Sequence, residues 1–343
     1  MVTFEVSGIE DDVDRRQALQ TAGAVTAAAA ATPALAALTS AWQASRPLIP
    51  GATVSRAMLD DWAAGFGIHA RSFAIDPPET ALSGIARDWA EMAPHLAATQ
   101  PEGVGRDLAQ IAGQYSRLIA MGFQQVSDRR MASRWWQTAH FHADRSGDAL
   151  LSSETRSWET TYRVVEAGEN LPDLHRLARS AREHAGRQPS SALMRAIGVE
   201  AEVLVRMGRA SDAITTMREA EDVFERLPAG AEQGERHLRF MQSFVYSAVG
   251  AAGQAAEAQE AARAFYPRTS YPHASAQLTL HGVILHARID PGEASKQALA
   301  VLDRIPAERR VKRVVLAARR IADAVPEDAR PLAPVQELKA LTA

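Results

Sequence analysis

Histidines are the side chains of this sequence that could most readily support catalysis or metal binding, and their spacing argues against both. His140 and His142 stand two apart in a helical pattern, so they point to different faces and cannot bind one metal ion together. His281 and His286 are five apart and are little better placed. We therefore expect surface or half-buried histidines and no metal site.

Short catalytic motifs are missing as well. The sequence contains no His-Glu-x-x-His, P-loop or Gly-x-Ser-x-Gly segment, and it has no cysteine. Gly65-Phe66-Gly67 and Gly103-Val104-Gly105 lack a third glycine and a preceding strand, so they predict loops and not a dinucleotide site. We predict a binding protein with no catalytic residue and no cofactor, and not an enzyme.

Positions 304–320 form a dense basic segment. Against one acidic residue, Glu308, the segment holds seven basic ones: Arg304, Arg309, Arg310, Lys312, Arg313, Arg319 and Arg320. Such a run could contact phosphate. The segment also carries an apolar stripe, typical of a solvated terminal capping helix, at Val311, Val314, Val315, Ala318 and Ile321. Because the formal net charge of the whole chain is only −3, we interpret the segment as a cap and predict no direct nucleic-acid binding.

The overall composition favours helices. Hydrophobic residues make up 46% of the 343 positions and aromatic residues only 6%, so alanine and leucine must form much of the interior through close helix contacts. No stretch approaches the roughly 20 strongly apolar residues that span a bilayer, so we predict no membrane partner. The sequence therefore predicts an all-α protein.

A repeat of about 40 residues organises the chain from about Gln110. Turn residues recur at intervals of 40 to 42 positions, at Ser127, Gly168, Gly208, Gly250 and Gly292. This period predicts pairs of helices. Alanines seven apart follow three of the turns, on one helix face each, at Ala132 and Ala139, Ala213 and Ala220, and Ala255 and Ala262. Small residues there would let paired helices approach closely.

Proline ends the second helix of several pairs, at Pro228, Pro267 and Pro306. The unit of helix, tight turn, helix and proline resembles the tetratricopeptide repeat, although it exceeds 34 residues and lacks the first-helix tryptophan. The resemblance implies a tetratricopeptide-like α-solenoid, a right-handed superhelix of antiparallel helix pairs. We divide the chain into an alanine-rich linker (1–50), N-terminal capping helices (51–109), repeats (110–306) and C-terminal capping helices (307–343).

The resemblance also implies where a ligand binds, because the first helix of each pair lines the concave groove in such arrays. The corresponding positions here are Arg117, Met121, Gln124, Trp158, Tyr162, Arg195, Glu202, His237, Phe240 and Phe244. Arginines among aromatic rings suit an extended peptide or a small anionic molecule. The alternative is that several of these rings pack between neighbouring repeats, as we expect for Trp135 and Trp136 in the second helix.

Particular segments resemble the C-terminal sensor region of bacterial helix-turn-helix regulators of the Xre type. They are Arg134-Trp135-Trp136-Gln137-Thr138-Ala139, Leu238-Arg239-Phe240 with Val245-Tyr246, Tyr266-Pro267 with Ser270-Tyr271, and Pro334-Val335-Gln336-Glu337-Leu338. The stretch from Asp14 to Leu38 resembles the linker that joins the DNA-binding domain to such arrays. About a dozen residues precede Asp14, whereas a helix-turn-helix domain needs roughly 60. We expect either a stand-alone sensor array or a start codon assigned too late.

The resemblance implies a cytoplasmic sensor or scaffold whose groove holds a peptide, a small molecule or a partner protein, and it leaves a homodimer open. Export is the alternative: Asp14-Arg15-Arg16-Gln17-Ala18-Leu19 followed by Pro33-Ala34-Leu35-Ala36 imitates a twin-arginine signal. Against it, acidic residues crowd the arginines, and positions 21–31 contain a single valine and no leucine, isoleucine or phenylalanine.

Overall fold

The computed structural model describes residues 53–228 and 232–343, and these residues are all-helical with no strand among them. The described part contains α1 (Arg56–Ile75), α2 (Pro78–Ala97), α3 (Glu102–Gln125), α4 (Arg129–Ser146), α5 (Ala149–Arg163), α6 (Leu171–Ala185), α7 (Ser191–Arg206), α8 (Ala210–Glu225), α9 (Glu232–Val249), α10 (Ala252–Phe265), α11 (Pro272–Val283), α12 (Pro291–Asp303), α13 (Lys312–Ala324) and α14 (Ala333–Leu341). The linker-like and export-like segment, Asp14 to Leu38, lies outside the described residues.

The predicted helix pairs are present. Helix α3 packs against α4, α5 against α6, α7 against α8, α9 against α10 and α11 against α12. The first helices of successive pairs also pack on one another, so α3, α5, α7, α9 and α11 form one continuous layer, which we call the first-helix row. This row carries the ten residues predicted to bind a ligand.

Left-handed turns join the two helices in four of the pairs. Ser127, Gly168, Gly208 and Gly250 have φ between 65° and 80°, the region in which a helix ends most readily. The prediction of a fifth turn at Gly292 is wrong, because Gly292 lies in the first turn of α12. The chain instead turns just before Asp290, whose side chain accepts a hydrogen bond from the backbone N–H of Glu293 and so begins the helix.

Small residues set the spacing within the pairs, as predicted. The six alanines of the three seven-residue pairs are at most 1% exposed. The contact between α3 and α4 is closer still, since a Cβ added to Gly113 would lie 3.1 Å from the backbone nitrogen of Ala143. The second helices end two or three residues before the predicted prolines, at Glu225, Phe265 and Asp303. Close approach of this kind requires Gly or Ala at the crossing point.

The regions flanking the repeats match the prediction less evenly. Helices α1 and α2 meet at Asp76-Pro77-Pro78, and the fully buried Trp89 of α2 packs edge-on against Trp135 of α4 at 4.9 Å. Two helices, α13 and α14, lie within the region 307–343 where we expected capping helices, but α13 begins only at Lys312. A 3₁₀ turn at Ala307–Arg309 precedes α13, because the Arg310 side chain folds back to donate to the carbonyls of Leu302 and Ile305. None of the described helices is both long and apolar enough to cross a bilayer.

Candidate functional site

Helix α13 lies over the first-helix row and not free at the end of the array. Its backbone packs mainly against α11 and α12 through a buried apolar stripe, as predicted, that includes Val314, Ala318 and Ile321. Its basic side chains extend further. The guanidinium of Arg313 lies 4.7 Å from the ring centre of Tyr162 in α5, and that of Arg320 lies 4.3 Å from the ring of Phe244 in α9. The basic side chains of this segment are therefore not all solvated, although Arg304, Arg309 and Arg319 are exposed, because long cationic stems can cover apolar rings.

A buried carboxylate fastens the N-terminal end of α13. Glu166, which is 2% exposed, lies 2.7 Å from the ammonium of Lys312 and 3.0 Å from the guanidinium of Arg129. The side-chain amide of Gln124 donates to the same carboxylate at 3.3 Å. Gln124, one of the predicted ligand-binding residues, thus helps to hold α13 against the chain.

Arg195 of α7 occupies the middle of the first-helix row. It is 6% exposed, and its guanidinium lies 4.3 Å above the ring of Trp158. Within the described residues it has no hydrogen-bond acceptor and no salt-bridge partner. Burial lowers the pKa of this guanidinium to about 10, with the charge of Glu154 opposing the shift. The side chain is therefore a largely buried cation at neutral pH, and its N–H groups have no acceptor among the described residues.

The neighbours of Arg195 differ in how far they are already paired. Arg117 is buried and donates to Glu154 at 3.1 Å, so its guanidinium already has a carboxylate partner. The ring of His237 meets that of Trp158 at 5.8 Å. Burial lowers the pKa of His237 well below its ordinary value, and the charges of Arg195, Arg236 and Arg117 add to the effect. His237 is therefore neutral and surrounded by cations.

Glu202 stands two helical turns after Arg195 on α7. It is 3% exposed and has neither a hydrogen bond nor an ion pair with any described residue. Burial raises the pKa of its carboxyl to about 7, while the charges of Arg313, Arg195 and Arg320 act in the opposite direction. A carboxyl group in this state is partly protonated near neutral pH.

Three further guanidiniums border this region without a carboxylate partner in the described chain. Arg236 lies over the rings of Tyr266 and Tyr271, at 5.7 and 5.5 Å. The Nε atoms of Arg236 and Arg313 are enclosed and have no acceptor. Burial lowers the pKa of Arg320 to about 10, helped by the charge of Arg206.

Sequence reasoning did not place these three arginines beside the groove: Arg236 was not named, and Arg313 and Arg320 were assigned to a cap. Arg236 falls one position outside the groove pattern, and Arg313 and Arg320 belong to a helix outside the repeats. A signal was nevertheless present: two residues seven apart on a helix share a face, and Arg313 and Arg320 flank the apolar stripe of α13.

The remaining predicted residues pack between repeats. Met121 and Tyr162 are 6% and 4% exposed and belong to the N-terminal core. Phe240 contacts the rings of Tyr266 and His281, and Phe244 contacts His281 at 5.5 Å. These rings therefore pack between neighbouring repeats, which is the alternative that the sequence analysis left open. The structure brings Arg117, Trp158, Arg195 and His237 together, with Glu202 two turns away.

No family model, curated protein or solved structure matches this chain. Its function must therefore be argued from the side chains. Among the described residues, no three His, Asp or Glu side chains are grouped closely enough to hold a metal ion. The described arrangement offers N–H donors on cations beside the half-buried ring of Trp158, which can bind an anionic group and an adjoining planar or apolar group.

Proposed function

We propose that this chain is a sensor or scaffold built as a tetratricopeptide-like α-solenoid, and that its first-helix row binds a peptide, a small molecule or a partner protein. The observation that carries the proposal is Arg195, a buried guanidinium stacked on Trp158 with no acceptor among the described residues. The right-handed superhelix, the relation to the sensor regions of Xre-type regulators and the cytoplasmic location are parts of this proposal. They rest on the 40-residue period and on the segments that resemble those regulators.

Burial of an unpaired cation supports a binding role on energetic grounds. Removing a charge from water costs several kcal/mol unless hydrogen bonds or an opposite charge compensate. Stacking on Trp158 returns about 0.5 to 2 kcal/mol of this. A ligand that supplies acceptors to Arg195 would recover much of the rest, so the site is arranged to be more stable when occupied.

The position of α13 suggests how binding would be sensed. Its cationic side chains contact the same row of helices as the ligand would, and Lys312 ties its start to Glu166. A ligand beside Arg195 changes the electrostatic surroundings of Arg313 and Arg320. We expect the attachment of α13 to depend on occupancy.

Native mass spectrometry of the full chain, isolated without denaturation, tests the proposal. We expect a bound species on the unmodified protein that is lost in Arg195→Met. Arg319→Met is the matched control, because Arg319 is an exposed residue of α13 whose guanidinium donates only to the Thr342 carbonyl within the described chain. Equal retention of the bound species by both variants would place the binding site elsewhere.

A further inference from the structure

The space between α13 and the first-helix row carries an excess of positive charge. Four of its guanidiniums have no carboxylate partner in the described chain: Arg195, Arg236, Arg313 and Arg320. The unpaired carboxylate in the same space is Glu202. Each guanidinium presents N–H donors in a rigid fork that fits carboxylate or phosphate oxygens. The carboxylates of the described residues therefore do not neutralise this region.

Ring contacts connect the four cations along the first-helix row. Arg195 covers Trp158, whose ring touches Tyr162 at 6.3 Å, and Arg313 covers Tyr162. On the other side, a second chain of rings leads from Arg236 to Arg320, through Tyr266, Phe240, His281 and Phe244. His237, adjacent to Arg236 in sequence, joins the two sides by its contact with Trp158.

The position of α13 limits the size of an occupant. An extended peptide would have to run along the first-helix row, but Arg313 crosses to α5 and Arg320 crosses to α9. Near Arg320 the space is almost filled: the void lined by Phe244, His281 and Arg320 has a volume of about 10 Å³, room for a single water molecule. An occupant that leaves α13 in place must therefore be small, and we place it beside Arg195, whose guanidinium has no acceptor among the described residues.

We propose that the space between α13 and the first-helix row binds a small molecule carrying at least two negative charges, either a phosphate ester or a dicarboxylate. Its anionic groups accept hydrogen bonds from Arg195 and the neighbouring guanidiniums, and its remaining part lies against Trp158. Glu202 offsets at most one of the four cations that lack a carboxylate partner in the described chain, so an occupant with a single negative charge would leave at least two of them unmatched. This inference rests on the proposed function, since it assumes that the first-helix row is a binding surface.

Calorimetric titration of the full chain, washed in high salt to remove bound anions, tests the ligand class. The probes are inorganic phosphate, succinate, acetate and hexaglutamate, at matched ionic strength. We expect phosphate or succinate to bind with one-to-one stoichiometry, and whichever binds more tightly identifies the anionic group. Acetate should bind at least about tenfold more weakly, because it satisfies fewer donors. Hexaglutamate, which represents an acidic peptide, should not bind.

Arg195→Lys is the decisive variant, because it keeps the charge and removes the fork. We expect it to weaken binding of the dianion by about tenfold to a hundredfold. Arg319→Lys, the same change at an exposed position of α13, should leave affinity unchanged, and circular dichroism verifies that both variants are folded. Binding of hexaglutamate that depends on Arg195, without binding of either dianion, would overturn the ligand class but leave the proposed function standing. Binding that ignores Arg195 for every probe would overturn both.

Discussion

At the scale of single residues, unpaired buried charges are the most informative feature of this protein. Arg195 and Glu202 lie on one helix, each at most 6% exposed and each without a polar partner in the described chain. Sequence analysis could place both on the first-helix row, because the repeat period gives the register. It could not show that Arg117 is already paired with Glu154 or that α13 adds two arginines, since those contacts join residues far apart in the sequence.

Glu202 predicts an unusual pH dependence of stability. Its folded-state pKa of about 7 lies above the ordinary 4.5, so between these values the folded state binds more protons than the unfolded state. Its contribution is therefore fully present below about pH 4.5 and is lost as the pH rises through 7. Glu202→Gln should be more stable than the unmodified chain at about pH 8, by up to about 3 kcal/mol, and should match it below about pH 4.5.

Urea denaturation across this pH range measures the difference. Glu257→Gln is the control, because Glu257 is an exposed residue of α10. A stability difference for Glu202→Gln that stays constant with pH would contradict the burial of an ionisable carboxyl at this position.

At the scale of helices, the period and the alanine spacing were enough to predict the pairs. They could not predict the placement of α13, because an apolar stripe shows which face of a helix is buried but not which surface covers it. The wrong prediction of a turn at Gly292 also came from a sequence pattern that fits two structures. Gly is common both in turns and at helix starts, and only the proline before it and the capping Asp290 distinguish the two.

Overpacking tests the helix pairs. Ala213→Leu and Ala255→Leu should each lower the free energy of unfolding by about 1 to 3 kcal/mol, because both alanines are fully buried. Ala256→Leu is the control, since Ala256 is exposed on the same helix as Ala255. Unchanged melting temperatures in both buried variants would contradict close packing at these positions.

The attachment of α13 is tested at Lys312. Lys312→Met leaves the buried Glu166 with one cation fewer, so we expect the start of α13 to detach more often, at a cost of about 1 to 3 kcal/mol. Hydrogen exchange should quicken at positions 312–324, whereas Lys296→Met, at an exposed position of α12, should leave it unchanged. An unchanged rate of hydrogen exchange at positions 312–324 in Lys312→Met would show that the apolar stripe alone holds α13 in place.

At the scale of the whole molecule, the described chain folds back on itself. Helix α13 reaches α5 and α9, and α1 also lies against α11, so elements near both ends of the described chain border the repeats. The all-α class was predictable from composition and period alone. The packing of α13 and α1 against the repeats was not predictable, because it depends on the rotation that accumulates between successive helix pairs, which no local pattern encodes.

The burial of histidines in this fold also predicts that the protein loses stability in acid. Burial lowers the pKa of His142 to about 4 and that of His281 to about 3, from an ordinary 6.5. Below pH 6.5 the unfolded chain therefore binds more protons than the folded one, and stability is lost as the pH falls. His281→Asn, which can still bond to Ser243, should reduce the loss between about pH 7 and 4.5 by about 2 to 3 kcal/mol. Parallel pH profiles for variant and unmodified chain would contradict a buried neutral histidine.

The central claim is that Arg195 binds a small dianion. A crystal structure of the protein in the presence of selenate tests this claim most directly. Selenate is a compact dianion, and its selenium can be located by anomalous scattering. We predict an anomalous peak between α13 and the first-helix row, with an oxygen about 3 Å from the Arg195 guanidinium. Selenate found only at exposed arginines, with Arg195 still stacked on Trp158 and lacking an acceptor, would contradict the claim.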